Sequence, residues 1–157
     1  GYVRELDERI AKAGLTGIVR RAGHCSDMPA AFLAASCVVV ASTEPEAFGR
    51  SAVEAQAMGA PVIVTDIGAA PETVLAPPEV GGESRTGWRI PPGDADALAR
   101  TLREALDLRA TQRDALARRA RAHVEEHFSL EKMCEDTLDV YREALEARMT
   151  RRAGARA

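Results

Sequence analysis

At 157 residues, with 46% hydrophobic residues and only 4% aromatics, the chain has the length of one domain, and its core must be built from Ala, Val, Leu and Ile. The net charge of −3, with acids interleaved among the arginines along the helices, gives no footprint for nucleic acid. The longest apolar stretch, residues 30–41, is interrupted by Ser36 and is too short to span a bilayer.

Residues 2–13 place Val3, Leu6, Ile10 and Ala13 at helical spacing, and Gly14 is a good stop. The chain thus opens inside a helix rather than a signal peptide, which predicts a piece of something longer. A short β-branched segment, Ile18 to Arg21, ends at Ala22-Gly23. Asp27 is placed to cap a second helix over Met28 to Ala35, with Pro29 in its first turn. Cys37 to Val40 is a continuous apolar run, as expected of a strand covered on both faces. An Ala-rich helix over Ser51 to Met58 is ended by Gly59, and Pro61 to Val64 is the next strand, with Trp88 to Ile90 another. Strands alternating with helices predict a parallel sheet, whose ligands bind outside the carboxyl ends of the strands. The loops of interest are then Gly23 to Asp27, Ser42 to Arg50 and Asp66 to Pro71.

After Pro91-Pro92-Gly93 the pattern turns wholly helical. Asp94 caps a helix carrying Leu98, Leu102, Ala105 and Leu106, and Thr111 with Asp114 resembles a capping box for the next, with Leu116, Ala120, Val124 and Phe128 inward. Ser129 caps the last, whose stripe is Leu130, Met133, Leu138, Tyr141 and Leu145. Part of that stripe is expected to be left for a partner surface. The domain is read as 1–150, followed by a disordered basic tail, 151–157.

Chemistry concentrates in residues 46–54. A helix beginning near Ser51 has unpaired amides in its first turn, and Gly49 lets an anion approach the backbone. Glu54 lies one turn into that helix, where a carboxylate suits the vicinal diol of a ribose, while Glu46 sits on the other side of the anion position. Glu54 is flanked by Ala52, Val53, Ala55 and Ala57, and a charge in close-packed surroundings needs a partner. The two carboxylates could also form an acid/base pair for hydrolysis, a reading that leaves the amides between them unused. His24 on a strand-end loop suits either a phosphate or base contact or local backbone capping, and Gly68 either a close backbone approach to ligand or a plain turn. His123 and His127 stand four apart on a helix but lack a carboxylate at a metal-site offset, so no metal site is expected. Cys25, Cys37 and Cys134 are odd in number and dispersed, which argues against a disulfide framework and for a reducing compartment.

The residues from Val39 to Glu72, with Glu46-x7-Glu54, the run Ala55 to Val62 through Gly59-Ala60-Pro61, and Asp66 to Glu72, resemble glycosyltransferase family 4, and specifically the C-terminal Rossmann-like domain of that GT-B fold. Thr86 to Asp94 is similar to the family's Gly-x-x-x-Pro-x-Gly-Asp turn. The resemblance implies an α/β fold ending in three helices. It implies retaining transfer from a UDP-, GDP- or ADP-sugar without an obligatory metal or other cofactor. Glu46 would be catalytic. Ala47, Phe48, Gly49, Arg50 and Ser51 would face donor sugar and diphosphate, and Glu54 would bind ribose. His24, Cys25, Ser26 and Met28 fall where the family contacts base or ribose. The family's first strand, its Arg and Lys for the diphosphate, and its N-terminal domain for a sugar or lipid-linked acceptor are expected upstream. On this reading the 157 residues alone turn over nothing, and the longer protein is a cytoplasmic enzyme of cell-envelope polysaccharide or glycolipid synthesis at the inner membrane face. The competing expectations are another GT-B enzyme, such as a nucleotide-sugar epimerase, and a non-catalytic α/β nucleotide-binding module.

Overall fold

The computed structural model describes the backbone of residues 1–154 and the side chains through Met149, with Arg151. Three parallel strands, β1 (Val38–Val40), β2 (Val62–Thr65) and β3 (Trp88–Ile90), lie side by side in the order β1-β2-β3. Val38 pairs with Val62, and Ile63 with Trp88. The helices are α1 (Tyr2–Lys12), α2 (Met28–Ala34), α3 (Arg50–Ala57), α4 (Ala70–Thr73), α5 (Ala95–Leu106), α6 (Ala110–His127) and α7 (Leu130–Gly154).

Side chains alternate across a strand, so β2 feeds two cores. Val62 and Val64 pack with Phe32 of α2, Ala52 and Ala55 of α3, and Val74. Ile63, on the other face, packs with Trp88, Ile90, Ala97, Ala105 and Leu116 under α5 and α6. β2 is therefore buried at every position. β1 is not: Val39 is 39% exposed, and α5 packs chiefly on β2 and β3. The expectation that Cys37 to Val40 is a strand covered on both faces fails at Val39, and β2 is the strand so covered.

The caps explain where most helices begin. Asp27 Oδ1 accepts from Ala30 N at 3.0 Å, Asp94 Oδ1 from Ala97 N at 2.8 Å, and Ser129 Oγ from Lys132 N at 3.2 Å, all as the sequence predicts. The expected capping box at Thr111 and Asp114 is displaced. Arg109 is the cap residue, in extended conformation, and Gln112 Oε1 accepts its backbone N–H at 3.0 Å, so Thr111 lies inside α6. The Asp66 to Pro71 loop already turns helical at Ala70, with Pro71 in the first turn, where its missing N–H costs nothing.

Two stretches differ more. Nothing in α1 is buried, and Ile18 to Arg21 forms no strand; one parallel bridge joins Thr16 and Val19. The segment is tied to α1 by Arg21, which donates from Nε and Nη2 to the Asp7 carboxylate at 2.9 and 3.0 Å. At the other end α7 runs on to Gly154, so residues 151–154 continue the helix where a disordered tail was expected. Arg and Ala are strong helix formers and no stop signal precedes Gly154. Residues 155–157 lie outside the described residues. The α7 stripe is exposed along its length, with Leu130, Met133, Leu138, Tyr141 and Leu145 all between 52% and 67% accessible.

Candidate functional site

The carboxyl ends of β1 and β2 open onto the loop 41–49 and the first turn of α3. Gly49 makes that junction: it sits at φ 77, ψ 53 in the left-handed region that L side chains resist, and it is the cap residue of α3. Its carbonyl accepts from Ala52 N at 3.0 Å and Val53 N at 3.4 Å. No side chain caps the helix, so the first-turn amides keep their partial positive charge for an outside anion.

Glu46 is held on one side of this turn. Ser42 Oγ donates to its Oε1, and Thr65 Oγ1 donates to the Ser42 carbonyl at 2.7 Å, which pins the loop to the end of β2. The Glu46 backbone is fixed as firmly: Ala69 N donates to its carbonyl at 3.1 Å. Gly68, at φ 59, lies so close that a Cβ there would come within 2.5 Å of the Glu46 carbonyl oxygen and 2.8 Å of its nitrogen. The small size of Gly68 thus makes room for the Glu46 backbone, and its positive φ serves the turn into α4. A small cleft, open to solvent, is lined by Val40, Ser42, Glu46, Phe48, Gly49 and Thr65, among others.

Glu54, one turn along α3, is not enclosed as expected. Its side chain is 42% exposed and is paired with Arg50, which donates from Nη2 at 2.8 Å and from Nε at 3.2 Å. An exposed pair four residues apart is worth only ~0.3–0.5 kcal/mol, so a diol can compete for the carboxylate. Arg50 therefore leans along α3 toward Glu54, with its own side chain 82% exposed. The buried polar residue of this helix is Gln56, whose Nε2 donates to the carbonyls of Thr73 at 2.8 Å and Ala52 at 3.3 Å. Its Oε1 is buried without a partner among the described residues.

The remaining sequence candidates stand apart from the cleft. His24, Cys25, Ser26 and Met28 are exposed and none lines it, and the Cys25 thiol donates to the Asp27 carbonyl at 3.4 Å. Ala47 and Ser51 are exposed at either end of the Phe48-Gly49 turn.

Sequence reasoning missed the support behind the turn. The Phe48 ring meets Phe128 edge-on at 5.4 Å, and Phe128 meets His123 at 5.4 Å and 88°. His123 is 9% exposed. A carbonyl only accepts, so His123 Nε2 carries the proton it donates to Glu72 O at 3.4 Å, and His127 Nδ1 the proton it donates to His123 O at 3.0 Å. Burial, followed by the neighbouring His127, lowers the His123 pKa from its ordinary 6.5 and keeps the ring neutral. Among the described residues no cluster of three or more His, Cys, Asp or Glu is placed to hold a metal.

The family model described as Glycosyl transferases group 1 matches residues 1–123. Relatives include the lipopolysaccharide core biosynthesis mannosyltransferase LpsB of Rhizobium meliloti, 33% identical over 144 residues that cover 89% of this chain and 38% of that protein. A D-inositol 3-phosphate glycosyltransferase of Streptomyces avermitilis is 33% identical over 147 residues, covering 93% of this chain and 30% of that protein. The chain thus spans about a third of the length of these relatives. Among solved structures, a glycosyltransferase from Rickettsia africae superposes with a TM-score of 0.82 at 32% identity, over 92% of this chain and 36% of that one. Anabaena Alr3699/HepE, solved in complex with UDP and glucose, superposes with a TM-score of 0.78 at 29% identity, over 90% of this chain and 36% of that one. The α/β fold with its parallel sheet is therefore that of the GT-B glycosyltransferases.

Proposed function

The chain belongs to the glycosyl transferases group 1 family, and on that premise we propose that it is the nucleotide-sugar-binding part of a retaining hexosyltransferase of glycosyltransferase family 4. One observation carries the reading: an uncapped helix start at Gly49 is flanked by a Glu46 that two hydrogen bonds and a glycine contact fix in place, and by an accessible Glu54 one turn along.

In this reading the amides of Phe48, Gly49, Arg50 and Ser51 face the diphosphate and the donor sugar, beside Ala47. When the bond between the anomeric carbon and the leaving phosphate oxygen breaks, negative charge grows on the diphosphate. Amides already aimed there stabilise it with little reorganisation and without an obligatory metal. The Glu46 carboxylate stabilises the positive charge that develops on the sugar ring and holds its hydroxyls. Glu54 accepts both ribose hydroxyls, exchanging its weak pair with Arg50 for a bidentate one. His24, Cys25, Ser26 and Met28 take the base side. The donor is a UDP-, GDP- or ADP-sugar, and UDP with glucose is the pair bound in the Anabaena structure.

The acceptor, a sugar or lipid-linked saccharide, is taken by a further domain of the longer protein. Lipopolysaccharide core synthesis by the Rhizobium relative supports a role in envelope polysaccharide or glycolipid assembly at the inner membrane face. Among the described residues no helix is long and apolar enough to cross a membrane. A calorimetric panel of UDP, GDP, ADP and their glucose or mannose adducts on this chain tests the donor reading. At least one diphosphonucleoside should bind, Glu54→Ala should weaken it about tenfold or more, and Glu46→Ala should leave nucleotide binding within about twofold. Equal binding by wild type and Glu54→Ala removes the ribose role.

A further inference from the structure

Phe48 stands in the loop that joins β1 to α3, with 40% of its surface exposed. The hydrogen bonds that fix this loop all converge on Ser42 and Glu46, ahead of it. Ala47 is exposed, and Gly49 is held in the left-handed region without a side-chain cap. Among the described residues the tie on this half of the turn to another element is the Phe48 ring itself, set edge-on to Phe128 at 5.4 Å and 75°.

Phe128 is well placed to hold it. It closes α6, where its backbone N–H donates to Val124 O at 2.8 Å and its residue geometry has already left the helix. Ser129, the next residue, caps α7. The Phe128 ring is backed at 88° by His123, which is buried and reaches Glu72 O of α4. The same α4 begins at the Ala69 whose N–H binds Glu46 O. One frame, α4 with the end of α6, therefore supports both sides of the turn. Glu46 is held through hydrogen bonds and Phe48 through a ring contact. Edge-to-face pairs shift a local equilibrium by roughly 2- to 10-fold, enough to set a loop's resting position and too little to decide whether the domain folds.

We propose that Phe128, backed by His123, is a positioning residue that holds Phe48 and thereby keeps the Gly49, Arg50 and Ser51 amides aimed into the donor cleft. The role of those amides rests on the nucleotide-sugar reading above; the mechanical link does not. Phe128 touches no reacting atom and acts through Phe48, which lines the cleft.

The test uses the 157-residue chain labelled with ¹⁵N, as wild type, Phe128→Leu, Phe128→Tyr and Phe48→Leu. Phe128→Leu should shift and exchange-broaden the amide signals of residues 48–51 while those of β2 stay put, and Phe128→Tyr should restore them. Phe48→Leu cuts the same contact from the exposed ring. It should reproduce the pattern even if Phe128→Leu folds poorly, and the double variant should add nothing further. With UDP-glucose as the probe, Phe128→Leu should weaken affinity about 3- to 10-fold and Phe128→Tyr recover it. Unmoved amides at 49–51 in a folded Phe128→Leu or Phe48→Leu chain, or changes spread evenly over the sheet, overturn the proposal. If the wild type ignores UDP-glucose, the donor reading suffers, while the amide response still decides the role of Phe128.

Discussion

The Glu46 turn and the His24 loop both follow segments that read as β-rich, and the sequence assigns both to donor binding, yet the structure builds them differently. The first is tied to β2 through Ser42 and Thr65, to α4 through Gly68 and Ala69, and to α6 through Phe128. The second is exposed throughout, and its Cys25 bonds only two residues along, to Asp27. The difference teaches that a site's precision is set by how many separate elements converge on its backbone. A fixed charge between fixed amides needs such convergence, whereas a loop that contacts a base can be ordered by the ligand itself.

The contrast can be broken most severely at Gly68. Gly68→Ala places a methyl against the Glu46 backbone in a left-handed conformation and should cost about 2–4 kcal/mol, read as a drop in denaturant midpoint. A loss under about 1 kcal/mol would mean that the turn yields easily and is no better anchored than the His24 loop. Gln56→Ala comes next. It strips Thr73 O of its donor beneath α4 and opens a hole in a fully buried position, for about 2–3 kcal/mol.

A smaller and pH-dependent effect belongs to His123. Its folded pKa is depressed, so below 6.5 the unfolded chain takes up a proton that the folded one resists. Its contribution is complete above pH 6.5 and is lost as pH falls toward and through the folded value. Urea melts should show that the wild type loses stability relative to His123→Gln between pH 7.5 and 5; parallel curves would separate His123 from the frame behind the turn. At the small end, His24→Ala with Ser26→Ala, or Ile18→Ser, should move the stability of this chain by no more than about 0.5 kcal/mol.

Much of this was legible in the residues because it is local. Apolar runs and helical patterns, the caps at Asp27, Asp94 and Ser129, and the Glu46-x7-Glu54 spacing each depend on neighbours a few positions away. The misses depend on distant partners. Gln56 reads as an ordinary helix residue until α4 is laid over it, and Glu54 reads as enclosed until the helix is rotated into place. His123 reads as no metal ligand for want of a carboxylate at the right offset, but that its ring goes to Phe128 and Glu72 is visible only in the fold. A pair such as Phe48 and Phe128 leaves no trace in a single sequence. The one available hint was Phe128 standing as a large apolar residue at a helix end, next to a capping serine.

The Phe48–Phe128 contact also joins two stretches far apart along the chain. The two rings are about 80 positions apart. A chain emerging from the ribosome presents its amino-terminal part first. β1, α3 and β2 can pair while the turn between them still lacks its downstream brace, because closing so long a loop gains its contact last. A truncation before residue 128 should therefore leave the β1–β2 pairing in place and the Phe48 turn without its brace.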